Sequence, residues 1–158
     1  MTESERIVDQ LNRAFEGEAW HGPAVLEILE GITAEQAAAR PVHGAHSIWE
    51  LVLHIGTWAT ACRRRLAGER AQPSDAEDWR AVTNTSEQSW QAARQELRQA
   101  HKELRDAIAK LDEARLDQPI IEGLSSTYVT LHGVIQHSLY HAGQIAILKK
   151  ASLEQESL

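Results

Sequence analysis

Two histidines four residues apart, His137 and His141, carry the first chemical suggestion in this chain. On a helix, an i, i+4 pair leaves one face with about 5–6 Å between Cβ atoms, close enough for two imidazoles to reach one ion. Their neighbours Val134, Ile145 and Leu148 recur at the same three- and four-residue spacing, so the two rings are expected on an inward seam. The glutamate that follows the first histidine of a zincin helix is replaced by Ser138, which argues against that protease class. His54 is the candidate third donor. Its helix can be drawn with an inward stripe of Leu51, His54 and Trp58, which makes His54 the polar exception on an apolar face. It can equally be drawn as Ile48, Leu51, Ile55 and Trp58, which leaves His54 beside the stripe. Three imidazoles on one ion would leave positions for water or substrate, the arrangement of catalytic rather than structural zinc. The competing reading is a set of core histidines bonded to one another.

Other groups could surround such a site. Glu50 lies one turn before His54 and could act as a base or orient water, although Ser47-x-x-Glu50 also reads as a capping box. Gln144 and Tyr140 flank His141 and could line a pocket. Trp20, His21 and Trp58 could wall it, with core packing the alternative for the tryptophans. His43-x-x-His46 reads as a solvated approach to a helix. His132 reads as exposed, and His101, flanked by Gln99, Lys102 and Glu103, reads as surface. Cys62 precedes Arg63-Arg64-Arg65; neighbouring cations favour a thiolate, whereas a free cysteine is most often a small core residue. A di-iron carboxylate centre needs two Glu-x-x-His pairs, and the chain offers one, Glu18-x-x-His21, at a predicted break. A serine hydrolase would need a G-x-S-x-G elbow, which is absent.

The elements that must position these residues are helical almost throughout. A first helix carries Ile7, Val8, Leu11 and Phe15. It breaks at Gly17–Pro23 before Val25–Leu29, because Pro23 cannot donate within a helix. Thr33-x-x-Gln36 caps a short helix, and the Ser47 box opens one that runs to about Leu66. The polar stretch 69–83 makes a long connection. A helix over about 85–111 places Trp90, Leu97, Leu104, Ile108 and Leu111 on one face. Residues 112–129 read as irregular, with a short hairpin pairing Ile120-Ile121 with Tyr128-Val129. A last helix capped by Thr130 runs to about Lys150. The fold expected is all-α, a four-helix bundle with two long connections and short extra helices, as one domain over 1–158.

Composition narrows the class further. At 158 residues the chain can bury a core without a staple, and its hydrophobic share of 42% excludes wholesale disorder. A net charge of −7 argues against a general nucleic-acid binder. One cysteine excludes an intrachain disulfide and fits a reducing cytoplasm. No apolar run is long enough to span a membrane, and MTESERIVDQ lacks the pattern of a secretory signal.

Three stretches together carry a resemblance. Trp20-His21-Gly22-Pro23, His46-Ser47-Ile48-Trp49-Glu50-Leu51-Val52-Leu53-His54-Ile55 and His137-Ser138-Leu139-Tyr140-His141-Ala142-Gly143-Gln144-Ile145 are similar, in helix order, to the DinB-like (damage-inducible) superfamily, close to its YfiT-type metal-dependent hydrolases. The resemblance implies a four-helix bundle, often dimeric, with a divalent metal on His54, His137 and His141. It also implies hydrolysis of a small molecule or transfer of a low-molecular-weight thiol. Imidazole suits zinc and nickel alike. The expectation is a cytoplasmic homodimer that holds zinc or nickel and acts on a small molecule, a low-molecular-weight thiol being a possible cosubstrate. The alternative is a non-catalytic metal-binding or ligand-sensing bundle.

Overall fold

Serine and threonine side chains set where the helices begin. In the computed structural model, which describes residues 1–156 with side chains through 153, Thr2 caps α1 (Glu3–Phe15), Thr33 caps α3 (Ala34–Ala38) and Ser47 caps α4 (Ile48–Leu66). At each, the cap hydroxyl accepts the backbone N–H three residues on, and a glutamate or glutamine reaches back to the cap N–H. Between α1 and α3 lies the short α2 (Val25–Leu29), after the break expected around Pro23. Lys149 closes the far end of α2 by donating to the carbonyls of Ile28 and Glu30 at 2.9 and 2.8 Å.

The stretch after α4 contains one short turn of helix, α5 (Asp75–Asp78). Ser86 then caps α6 (Glu87–Ile108), and a 3-10 turn (Glu113–Arg115) precedes α7 (Thr127–Glu156). The long helices α1, α4, α6 and α7 form the bundle, with α4 packed on α6 and α7, and α1 packed on both of the latter. The connections from α4 to α6 and from α6 to α7 are long, and the segment from α1 to α4 carries the short extra helices α2 and α3.

The expected hairpin is replaced by an earlier helix start. Ser126 Oγ accepts the N–H of Val129 at 3.2 Å, so Tyr128 and Val129 are already helical. A single bridge, Pro119 to Ser126, is the remnant of strand pairing among the described residues.

Apolar burial falls into two clusters. One gathers Phe15, Trp49, Ile55, Trp90, Leu97, Ala142 and Ile145; the other gathers Ile7, Leu11, Ala59, Leu104, Leu131 and Ile135. On α4 the boundary lies between residues 55 and 59, and on α7 between 135 and 142. His137 and His141 fall inside that boundary on α7, and His54 lies just before it on α4. His101 belongs to the same waist, contrary to the expectation of a surface residue. It is 4% exposed, its ring lies 3.7 Å from that of Phe15, and Nε2 lies 3.4 Å from the Leu11 carbonyl. Its charged neighbours occupy the other face of α6, and position 101 falls four residues after Leu97 on the seam.

Burial of His101 makes a prediction. Desolvation holds its imidazole down from 6.5 to about 4. The unfolded chain therefore takes up this proton first as pH falls. The contribution is complete above about pH 6.5 and lost progressively toward pH 4. A shift of that size corresponds to about 3 kcal/mol as an upper figure. Urea unfolding of His101→Leu should show about 2 kcal/mol less acid destabilisation between neutral pH and about pH 4.5 than the parent. Equal acid sensitivity in the two proteins would refute this account of His101.

Candidate metal centre

Two helices bring the imidazoles together. His54 comes from the middle of α4 and is 6% exposed; His141 on α7 is equally buried, and His137, one turn earlier, is half-buried. Their Nε2 atoms point at one another: His137 to His54 at 2.9 Å and His137 to His141 at 3.1 Å. One donor nitrogen from each residue lies within 4.8 Å of the other two, and this is a cluster able to hold a metal ion among the described residues. Nitrogens bound to one zinc at about 2.0–2.1 Å stand about 3.0–3.4 Å apart; the His137–His54 and His137–His141 spacings are close to that, and the third pair lies within 4.8 Å.

The outer nitrogens decide which lone pairs face inward. His54 Nδ1 lies 2.9 Å from Asp78 Oδ1 and 3.2 Å from the Asp78 carbonyl, both acceptors, so its proton sits on Nδ1. His141 Nδ1 donates to Gln144 Oε1 at 2.7 Å. Both rings therefore turn a bare Nε2 toward the centre, the tautomer a metal needs. His137 Nδ1 is buried with no hydrogen-bond partner among the described residues. Burial, and then the neighbouring imidazoles, push the His137 ring down to about 4; burial likewise lowers His141. Burial thus favours the neutral form of His137 and His141, the form ligation requires.

Asp78 and Trp79 escaped the sequence reading, because they sit in the polar connection after α4. Short helix α5 delivers both. Asp78 Oδ1 also accepts from Trp58 Nε1 at 2.6 Å, which ties the α4 aromatic to the same carboxylate. Trp79 is sandwiched between His54 and His46, with ring centroids 4.0 and 3.6 Å away. The available signal was an Asp-Trp pair in an otherwise small and polar stretch.

The remaining candidates divide. Trp58 stands edge-on to His137 with centroids 6.3 Å apart, Gln144 holds His141, and the exposed Tyr140 packs its ring 5.0 Å from that of His141. Glu50 makes its polar contacts to Ser47 N, Arg40 and His46 at the helix start. Trp20 is fully exposed and His21 exposed; both line a separate hollow with Asp9, Arg13 and Leu139, so they are not brought to the three imidazoles. His132 is half-buried against Tyr128 rather than exposed. Cys62 is buried, and desolvation raises its thiol to about 12 despite Arg65, which leaves it inert at neutral pH.

A cleft of about 440 Å³ opens beside His137, between α4 and α7. No helix of the described residues is long and apolar enough to cross a membrane.

Comparison with known proteins agrees with the architecture. The model of the DinB superfamily matches residues 19–145. The crystal structure of a conserved protein from Enterococcus faecalis superposes with a TM-score of 0.71, covering 98% of this chain and 99% of that one at 16% identity, a likeness of fold. No curated protein matches significantly.

The bond between Asp78 and His54 is directly testable. Asp78→Ala should weaken zinc binding about 10- to 100-fold in competition with a chromophoric chelator. Asp75→Ala, on an exposed position of the same turn, should leave it unchanged. Equal affinities in the two variants would remove Asp78 from the centre.

Proposed function

The chain belongs to the DinB superfamily, and from that premise we propose that it is a metal-dependent enzyme acting on a small molecule. In this reading His54, His137 and His141 hold one divalent ion, zinc or nickel, and the reaction is a hydrolysis or the transfer of a low-molecular-weight thiol. The observation that carries the proposal is the paired orientation of His54 and His141. Asp78 and Gln144 take up their outer protons, which leaves two bare ring nitrogens aimed at a third. Histidines serving only as core filler gain nothing from that arrangement, because two acceptors meet where at most one proton can be shared.

An ion there supplies Lewis-acid chemistry, lowering the pKa of water or a thiol so that a nucleophile exists near neutral pH. The protein's own part is orientation and exclusion of solvent. Asp78 fixes the His54 ring and Trp79 covers its face, Gln144 fixes His141, and Trp58 borders the cleft where a substrate would approach His137. No carboxylate or thiol joins the three nitrogens among the described residues, so positions on the ion stay available for substrate. Within the same proposal the chain works as a homodimer; Tyr140 and Ile147, both exposed and seven residues apart on α7, supply an apolar surface for it.

Elemental analysis of purified protein should find about one zinc or nickel per chain, and His54→Ala/His137→Ala/His141→Ala should hold none. Added ion at about 100 times its dissociation constant should stabilise the parent by about 2.7 kcal/mol and leave the triple variant unmoved. Metal-loaded parent should turn over an ester, amide or thiol-acceptor substrate. A parent that takes up no metal and gains no stability contradicts the proposal. Metal uptake without turnover in either screen leaves a sensor as the better description.

A further inference from the structure

The cleft beside His137 has a lining that the metal chemistry does not account for. Its α4 wall is Trp58, Cys62 and Arg65; its α7 wall includes Val129, Gly133 and Val134. On α4, residues 54, 58, 62 and 65 follow one another by helical turns, so His54 and Arg65 are about 16 Å apart along the axis at 1.5 Å per residue. The cleft has His137, alone of the three imidazoles, at one end and the Arg65 guanidinium at the other, over a mostly apolar floor.

That guanidinium is held differently from its two neighbours on α4. Arg63 pairs with Glu103 at 3.3 Å and Arg64 with Glu69 at 2.7 Å. Arg65 has no carboxylate within ion-pair distance among the described residues. It is held by neutral acceptors instead: Nε donates to the Ala71 carbonyl at 2.8 Å and one terminal nitrogen to Gln72 Oε1 at 3.0 Å, while its carbon lies 5.5 Å from the Trp58 ring centre. These contacts orient the group and leave its charge uncancelled. No aspartate or glutamate lines the cleft, although the chain as a whole carries −7. Ser125 and Thr130 add two hydroxyls near the same wall. A fixed cation at the end of an apolar trough is the recognition pattern of an amphipathic anion.

We infer that this cleft binds a medium-chain carboxylate, its head paired with Arg65 and its apolar body lying over Trp58, Val129 and Gly133 toward His137. The inference rests on the proposed small-molecule chemistry in one respect, that the end remote from Arg65 is the one presented to the histidines.

The probes are octanoate and its neutral counterpart 1-octanol, titrated by calorimetry into the full-length protein as purified. Two variants address Arg65. Arg65→Gln removes the charge, and Gln72→Glu cancels it from an exposed neighbouring position without touching the cleft wall. Each should weaken octanoate about tenfold or more, and each should leave 1-octanol unchanged. The His54/His137/His141 triple-alanine variant should keep the Arg65-dependent affinity for octanoate. Octanoate that fails to bind the parent, or binds parent, Arg65→Gln and Gln72→Glu alike, overturns the inference. If Arg65→Gln does not fold, Gln72→Glu decides alone. Loss of octanoate binding in the triple-alanine variant would place the carboxylate on the metal and overturn the inference while supporting the proposed function. Arg65-dependent binding by a parent that holds no metal would do the reverse.

Discussion

Two imidazole lone pairs, fixed inward by acceptors behind them, meet at a third imidazole in the waist of the bundle. That conflict of acceptors organises the site. A buried nitrogen lone pair needs a proton or a cation, and one shared proton on His137 cannot serve both neighbours with good geometry. A cation satisfies all three. The spacings of 2.9 and 3.1 Å are within reach of one shared ion.

The surrounding structure can be understood as support for this polar waist. Apolar clusters above and below it supply the burial that a polar layer does not. The capping boxes of α1, α3 and α4 fix helix register, and a one-residue slip of α4 would turn His54 about 100° away from α7. The α4–α6 connection, which looks like a loop that only spans a gap, returns through α5 to place Asp78 behind His54 and Trp79 over its face. Trp58 joins the same carboxylate and carries the network to the cleft. The pieces that hold His54 and those that border the cleft beside His137 are therefore linked by one aspartate.

Much of this was legible in the residues. Periodicity marks the long helices, and the Ser47 and Thr33 boxes mark the starts of α4 and the short α3, because both are local properties of the chain; the cap expected at Thr130 falls instead at Ser126. The shared face of His137 and His141 follows from i, i+4 spacing alone. His54 is ambiguous by spacing, since two inward stripes fit α4 equally well; α4 packs on both α6 and α7 and buries both, His54 along with Ile48 and Ile55. His101 has the polar neighbours of a surface residue, yet its place four residues after Leu97 turns it into the core. The hairpin failed because Ser126 is a helix cap, a role that competes with strand pairing in the same few residues. Asp78 and Trp79 were beyond reach for a different reason: their partners are twenty or more residues away, and nothing local to the connection specifies how it folds back.

The account stands on where the ring protons sit, and long-range 1H–15N correlation of the histidine side chains in metal-free protein at about pH 8, where imidazoles are neutral, observes that directly. It predicts that His54 and His141 both carry the proton on Nδ1 and present a bare Nε2. A proton on Nε2 of either ring would mean that the histidines bond one another as a closed core cluster, and would contradict a centre built to receive a metal.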